Sequence, residues 1–293
     1  MSSPTGPEQG LPVRMPRPRQ PGRHRRPEPV TAPDGAPALV LAVPGPPSAE
    51  SRSLAEEVVS IARAELPGLN ARIGFAEGDG DEFPSLQDVL ARLTGPQDKP
   101  ADELPAVVVP LLTGPDSAQL RLIRQAVLNS GSGAELTDVL GPHPLLAEAV
   151  HVRLSEAGLA RADRARLFTV TTAADGIILA TLGGEDAVQA AGITGMLLSA
   201  RLAVPVLAAA LDGAGSVADT AQRLLTAGSR QLALAPCLIG PEIPEGLLEA
   251  AAEEAGCPAS EPLGAYPAVG KLLVSAYSAK LGIGPQPSTA PVR

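Results

Sequence analysis

The chain has 293 residues, a formal net charge of −9, 44% hydrophobic residues, only 2% aromatics and no Trp. That length holds one large domain or two of ordinary size, and a core of Leu, Val, Ile and Ala points to parallel sheets covered by helices. The acidic balance argues against a polyanion-binding body, and the scarcity of aromatics argues against a stacking platform for nucleic acid.

Residues 1–36 are rich in Pro and Arg, with Arg14, Arg17, Arg19, Arg23, Arg25 and Arg26 close together. Such a segment buries too little apolar surface to offset its chain entropy, so it reads as a disordered basic arm. The functional reading of that charge is an arm that touches nucleic acid, acidic lipid or an acidic partner, and a solvated, dispensable extension is the plainer one. The arm has no apolar h-region and does not read as a signal peptide. Apolar runs such as Leu202–Leu211 are too short to cross a bilayer. Cys237 and Cys257 form no metal or redox spacing and read as reduced thiols. A soluble, cytoplasmic protein without a membrane partner is expected.

From residue 37 strand and helix signals alternate. Strands are expected at Ala38–Val43, Ala71–Phe75, Val107–Leu112 and Leu136–Leu140, and helices at Ser51–Leu66, Ser85–Leu93, Ser117–Asn129 and Leu145–Ala157. The pattern then restarts. Strands are expected at Leu167–Thr172, Val204–Ala210 and Leu232–Leu238, and helices at Glu185–Leu202, Val217–Ala227, Leu247–Ala255 and Ala268–Leu281. Short connections between alternating strands and helices imply parallel strands joined by crossover helices. Residues 284–293 read as a flexible tail.

The two passes share strings. Val-Pro-Leu-Leu-Thr-Gly-Pro from Val109 to Pro115 matches Ala-Pro-Cys-Leu-Ile-Gly-Pro from Ala235 to Pro241, and Leu140–Pro144 matches Leu263–Pro267. The offsets, about 126 and 123 residues, agree within a loop's tolerance, which makes an internal duplication the economical reading. It divides the chain into halves at 37–160 and 161–283.

Two tandem α/β halves of this size, with V-P-L-L-x-G after a strand and a late L-G-x-H-P, resemble the sirohydrochlorin chelatases. These are class II chelatases that insert cobalt, nickel or iron into a modified tetrapyrrole. The resemblance covers about residues 37–283. It implies two flavodoxin-like halves, each a parallel sheet of about four strands with helices on both faces, and a ligand cleft above the strand C-termini. It further implies a tetrapyrrole ligand, a divalent cobalt or iron ion as substrate, and a place on the route to cobalamin or sirohaem. In that family one imidazole follows strand one in a segment A-H-G-S, and a second lies downstream of P-L-L.

This chain departs at both places. Pro44 stands where the first histidine belongs, in Val43-Pro44-Gly45-Pro46, and Thr113–Leu120, around Ala118, contains no histidine. The second half offers Thr171–Ala174 and Gly240–Ile243, again without one. The cleft candidates are therefore Gly45, Gly114, Asp116 and Glu242. Carboxylates alone suit hard cations better than cobalt or ferrous iron, and Asp116 is also a natural helix cap.

The chain has three histidines. His24 lies in the arm, His143 precedes a helix as a weak ligand candidate, and His151 is expected at a surface or rim. The acidic loop Glu77–Glu82 lacks EF-hand spacing, and Gly183-Gly184 is a weak anion-seat signal. Two readings follow: a chelatase inserting a divalent metal, or a non-catalytic relative acting as a tetrapyrrole-binding, regulatory or interaction protein.

Overall fold

The computed structural model describes residues 31–93, 104–160 and 173–282. The first sheet is built from β1 (Ala38–Val43), β2 (Ala71–Phe75), β3 (Ala106–Pro110) and β4 (Glu135–Leu136), all parallel, in the order β2-β1-β3-β4. The second is built from β5 (Gly176–Thr181), β6 (Val206–Ala210) and β7 (Leu232–Pro236), also parallel, in the order β6-β5-β7. Its fourth position is a single parallel bridge, Leu234 with Ala259, in the place that β4 takes beside β3. The duplication is thus visible in topology: each sheet puts its first strand inside and adds the next two strands on opposite sides of it.

The strand expected at Leu167–Thr172 lies outside the described residues, and the central strand of the second sheet is Gly176–Thr181 instead. This run, Gly-Ile-Ile-Leu-Ala-Thr, is buried at all six positions. A strand buried on both faces shows no alternation, so composition alone could not separate it from the neighbouring apolar run. The body also begins before residue 37. The Ala32 amide donates to the Pro67 carbonyl at 2.9 Å, and Ala32 packs on the core.

Eight helices are described: α1 (Ala49–Glu65), α2 (Leu86–Leu93), α3 (Ser117–Asn129), α4 (Pro144–Glu156), α5 (Gly184–Leu202), α6 (Ser216–Thr226), α7 (Leu247–Ala255) and α8 (Pro267–Lys280). Side chains alternate across each pleat. On the outer face of the first sheet, Val40 and Val108 meet α2 and α3; on the outer face of the second, Ile178 and Leu234 meet α6 and α7. The inner faces meet in one shared core that joins Leu39, Leu41, Val107 and Val109 to Ile177, Leu179, Ala233 and Ala235.

The last helix of each half crosses to the other. α4 packs on α5 and β7, whereas α8 packs on α1 and β3. Tyr277 of α8 is fully buried and donates its hydroxyl to the Pro37 carbonyl at 2.6 Å. Arg153 of α4 donates Nη2 to the Leu263 carbonyl at 2.8 Å. Each half therefore completes the other's inner layer. No helix among the described residues is long and apolar enough to cross a membrane.

Candidate functional site

In open parallel sheets, ligands bind beyond the strand C-termini, where connections diverge to the two faces. Here that region is built from the loops after β1, β3, β5 and β7. The loop after β1 carries Pro44 and Gly45, both buried. Gly45 has φ +75°, and a Cβ there would overlap the carbonyl oxygen of Pro241, in the loop after β7 of the other half. Its amide donates to Gln119 Oε1 at 3.1 Å.

The loop after β5 repeats the arrangement. Gly183 has φ +109°, and a Cβ there would press on the Pro115 carbonyl oxygen and the Asp116 Cα. Pro115 and Pro241 are the matching prolines of the repeated strings. The two contacts are therefore pseudo-symmetric: in each half a left-handed glycine after the first strand seats against the Gly-Pro loop of the other. Only glycine meets both demands, a positive φ and a backbone at van der Waals distance. Two further links close the seam. Thr113 Oγ1 donates to the Cys237 carbonyl, and Gly114 lies beside Thr181. Burial pushes the Cys237 thiol up to about 12, which makes it an inert core group.

Asp116 and Glu242 occupy the same register after these prolines and are used differently. Asp116 is the N-cap of α3, its Oδ1 accepting from the amides of Ala118 at 2.9 Å and Gln119 at 3.0 Å. Glu242 is buried and folds back on its own loop, accepting from the Ile239 amide at 2.7 Å and the Gly240 amide at 2.8 Å. Burial pushes its carboxyl above the ordinary carboxylate range; the loop amides oppose this, and the nearby Asp116 charge adds to it. Both carboxylates are thus engaged by backbone donors. Ala118, the second residue of α3, is exposed.

His143 caps α4, its Nδ1 accepting from the Leu145 amide at 3.1 Å. It lines a concavity of about 450 Å³ between the chain around β4 and α8, whose lining includes none of Gly45, Gly114, Asp116 or Glu242. His151 is not at a surface or rim: it is 3% exposed, and its Nδ1 accepts from Arg201 Nε of α5 at 2.8 Å. The crossing of α4 into the second half buries it, which no local pattern could report. Two other concavities, of about 310 and 460 Å³, lie at the opposite ends of the second sheet's strands, around Gln231 and Asp175. Among the described residues no three His, Cys, Asp or Glu side chains gather as a metal site.

Of the residues singled out from sequence, Gly45, Gly114, Asp116 and Glu242 are brought to one seam, with Pro44 beside them; His143 is not. The reading missed Thr113, Gln119 and Gly183 as parts of that seam. The doubled Gly-Pro string held the one available signal, because a repeat retained in both loops marks a backbone shape used twice.

No family model and no curated protein matches the sequence. The fold has counterparts among solved structures. It is similar to SirB from Bacillus subtilis with Fe3+, at 14% identity and a TM-score of 0.60, covering 85% of this chain and 98% of that one. It is also similar to CbiX, the terminal enzyme for biosynthesis of siroheme in denitrifying bacteria, at 18% identity and a TM-score of 0.52, covering 83% of this chain and 98% of that one. At these identities the likeness is one of fold, and it agrees with the tandem α/β architecture that the sequence implies.

Proposed function

We propose that the chain is a sirohydrochlorin-chelatase-family protein of tetrapyrrole metabolism that has lost metal insertion and keeps a ligand-binding or regulatory role. The fold likeness supports the tetrapyrrole class of ligand. One observation carries the loss of insertion: a buried proline, Pro44, stands where the family's first imidazole belongs, and the adjacent Gly45 is seated against the Pro241 carbonyl. Proline has no lone pair for a metal. A chelatase must hold a borderline ion firmly enough to orient it over the macrocycle, which calls for imidazole donors. Asp116 and Glu242 are hard donors already accepting backbone hydrogen bonds.

The test is a titration of the purified protein with sirohydrochlorin, with and without cobalt, followed by absorbance. A saturable spectral change without cobalt, together with insertion no faster than in protein-free solution, is the expected result. Insertion clearly above the protein-free rate would return the chain to working chelatases and make Asp116, Glu242 or His143 its ligands. No spectral change at all would remove the tetrapyrrole from the reading. Pro44→His alone should add little cobalt affinity, because one imidazole leaves the ion mostly water-bound. Pro44→His with Ala118→His should add more than the two single changes together if both loops face one cleft.

A further inference from the structure

Helix α5 carries an apolar stripe toward solvent. Ile193, Met196 and Leu197 are 46%, 66% and 39% exposed, and at spacing i, i+3, i+4 they share one face. The opposite face, through Ala187, Ala191, Thr194, Gly195 and Leu198, is buried in this chain. α1, its counterpart in the first half, presents Glu56, Glu57 and Arg63 to water. Equivalent helices of a duplicated fold thus differ on faces that no described element covers.

Gly192 lies beside this stripe. A glycine inside a helix costs about 0.5–1 kcal/mol relative to alanine. Gly270 in α8 has a packing reason, since a Cβ there would collide with Ile61 of α1. Gly192 has none among the described residues, for a Cβ there would find none of them within 4 Å. Charge is also ordered along α5. Glu185 and Asp186 occupy its first turn and Arg201 its last, with the uncharged stripe between them.

We propose that the chain forms a two-fold dimer through α5. Turned antiparallel about an axis near Ile193, two copies set stripe against stripe. Asp186 of one copy then comes opposite Arg201 of the other, a guanidinium that also holds His151. Gly192, on the flank of the stripe, leaves room for the partner helix's side chains. Such an interface is isologous and closes on itself. A single helix pair buries less than the roughly 800 Å² per partner of a standard interface, so the dimer should be weak and its population should depend on concentration.

Sedimentation velocity on the full chain from about 1 to 100 µM reads this association. The wild type should pass from monomer to dimer across that range. Met196→Glu and Gly192→Leu should each weaken the dimer by about tenfold or more. Met196→Glu should leave the melting curve of the monomer in place, and Gly192→Leu should raise it, because it removes a helix glycine from an open site. Glu57→Lys on α1 should change nothing. A wild type that stays monomeric at the top concentration, or a dimer that survives both α5 substitutions, overturns the proposal.

Discussion

The two halves share a backbone plan and differ in how their side chains finish it. In the first half α1, α3 and α4 begin on side-chain caps, Ser48, Asp116 and His143. In the second, α5, α6 and α7 begin at left-handed glycines, Gly183, Gly215 and Gly246, and α8 at Tyr266, none with a side-chain cap bond. At the seam, Gly45 and Gly183 keep the same contact with Pro241 and Pro115, while Asp116 and Glu242 have parted roles. Backbone shape is held by close packing and tolerates little drift, whereas a cap or a loop carboxylate can be exchanged for about 1 kcal/mol.

The sharpest way to break the comparison is to damage one half and watch the other. Val108 and Leu234 are fully buried in the outer faces of the two sheets. Val108→Asp and Leu234→Asp each bury an unpaired carboxylate, at a cost of several kcal/mol. Because the inner core is common and α4 and α8 cross over, either change should abolish the whole thermal transition rather than half of it. Two separate transitions by calorimetry would show that the halves fold independently.

Next in size are the seam glycines. Gly45→Ala and Gly183→Ala should each cost roughly 2–4 kcal/mol in urea unfolding, through positive φ and contact with a carbonyl. Equal losses support the pseudo-symmetry; a loss at one position alone would mean that the matching loop has relaxed.

Glu242 gives a pH test. Its carboxyl is raised in the fold above the ordinary 4.5, so the stability linked to its neutral form is full below that value and is lost as pH rises through the folded pKa. Glu242→Gln removes the titration but leaves one acceptor for the Ile239 and Gly240 amides, so it should melt below wild type in acid and show a flatter profile of melting temperature as pH rises. Asp116→Ala, at the equivalent position, should cost about 1 kcal/mol through loss of the α3 cap.

The smallest effect is expected at the chain start. Deleting residues 1–30 should leave the melting temperature unchanged, while deleting 1–36 should lower it, because Ala32 pairs with Pro67 and packs on the core. A fall of several degrees on the shorter deletion would show that the Arg-rich arm packs on the body.

The sequence by itself determined the alternation of strands and helices, the doubling of the plan and the absence of imidazole at the expected positions. β1 and β2 fall where the apolar runs end at turn residues, because a short buried run bounded by Pro and Gly has few other solutions. Pro44 was legible for the same reason: a missing donor needs no fold to be missed. Tertiary structure decided what depends on distant partners. The crossing of α4 and α8 buried His151 and merged two inner faces into one core. The meeting of Gly45 with Pro241 and of Gly183 with Pro115 joins residues far apart along the chain. The choice of Gly176–Thr181 as the central strand rested on burial of both its faces, which is set by whatever packs above and below and not by local pattern.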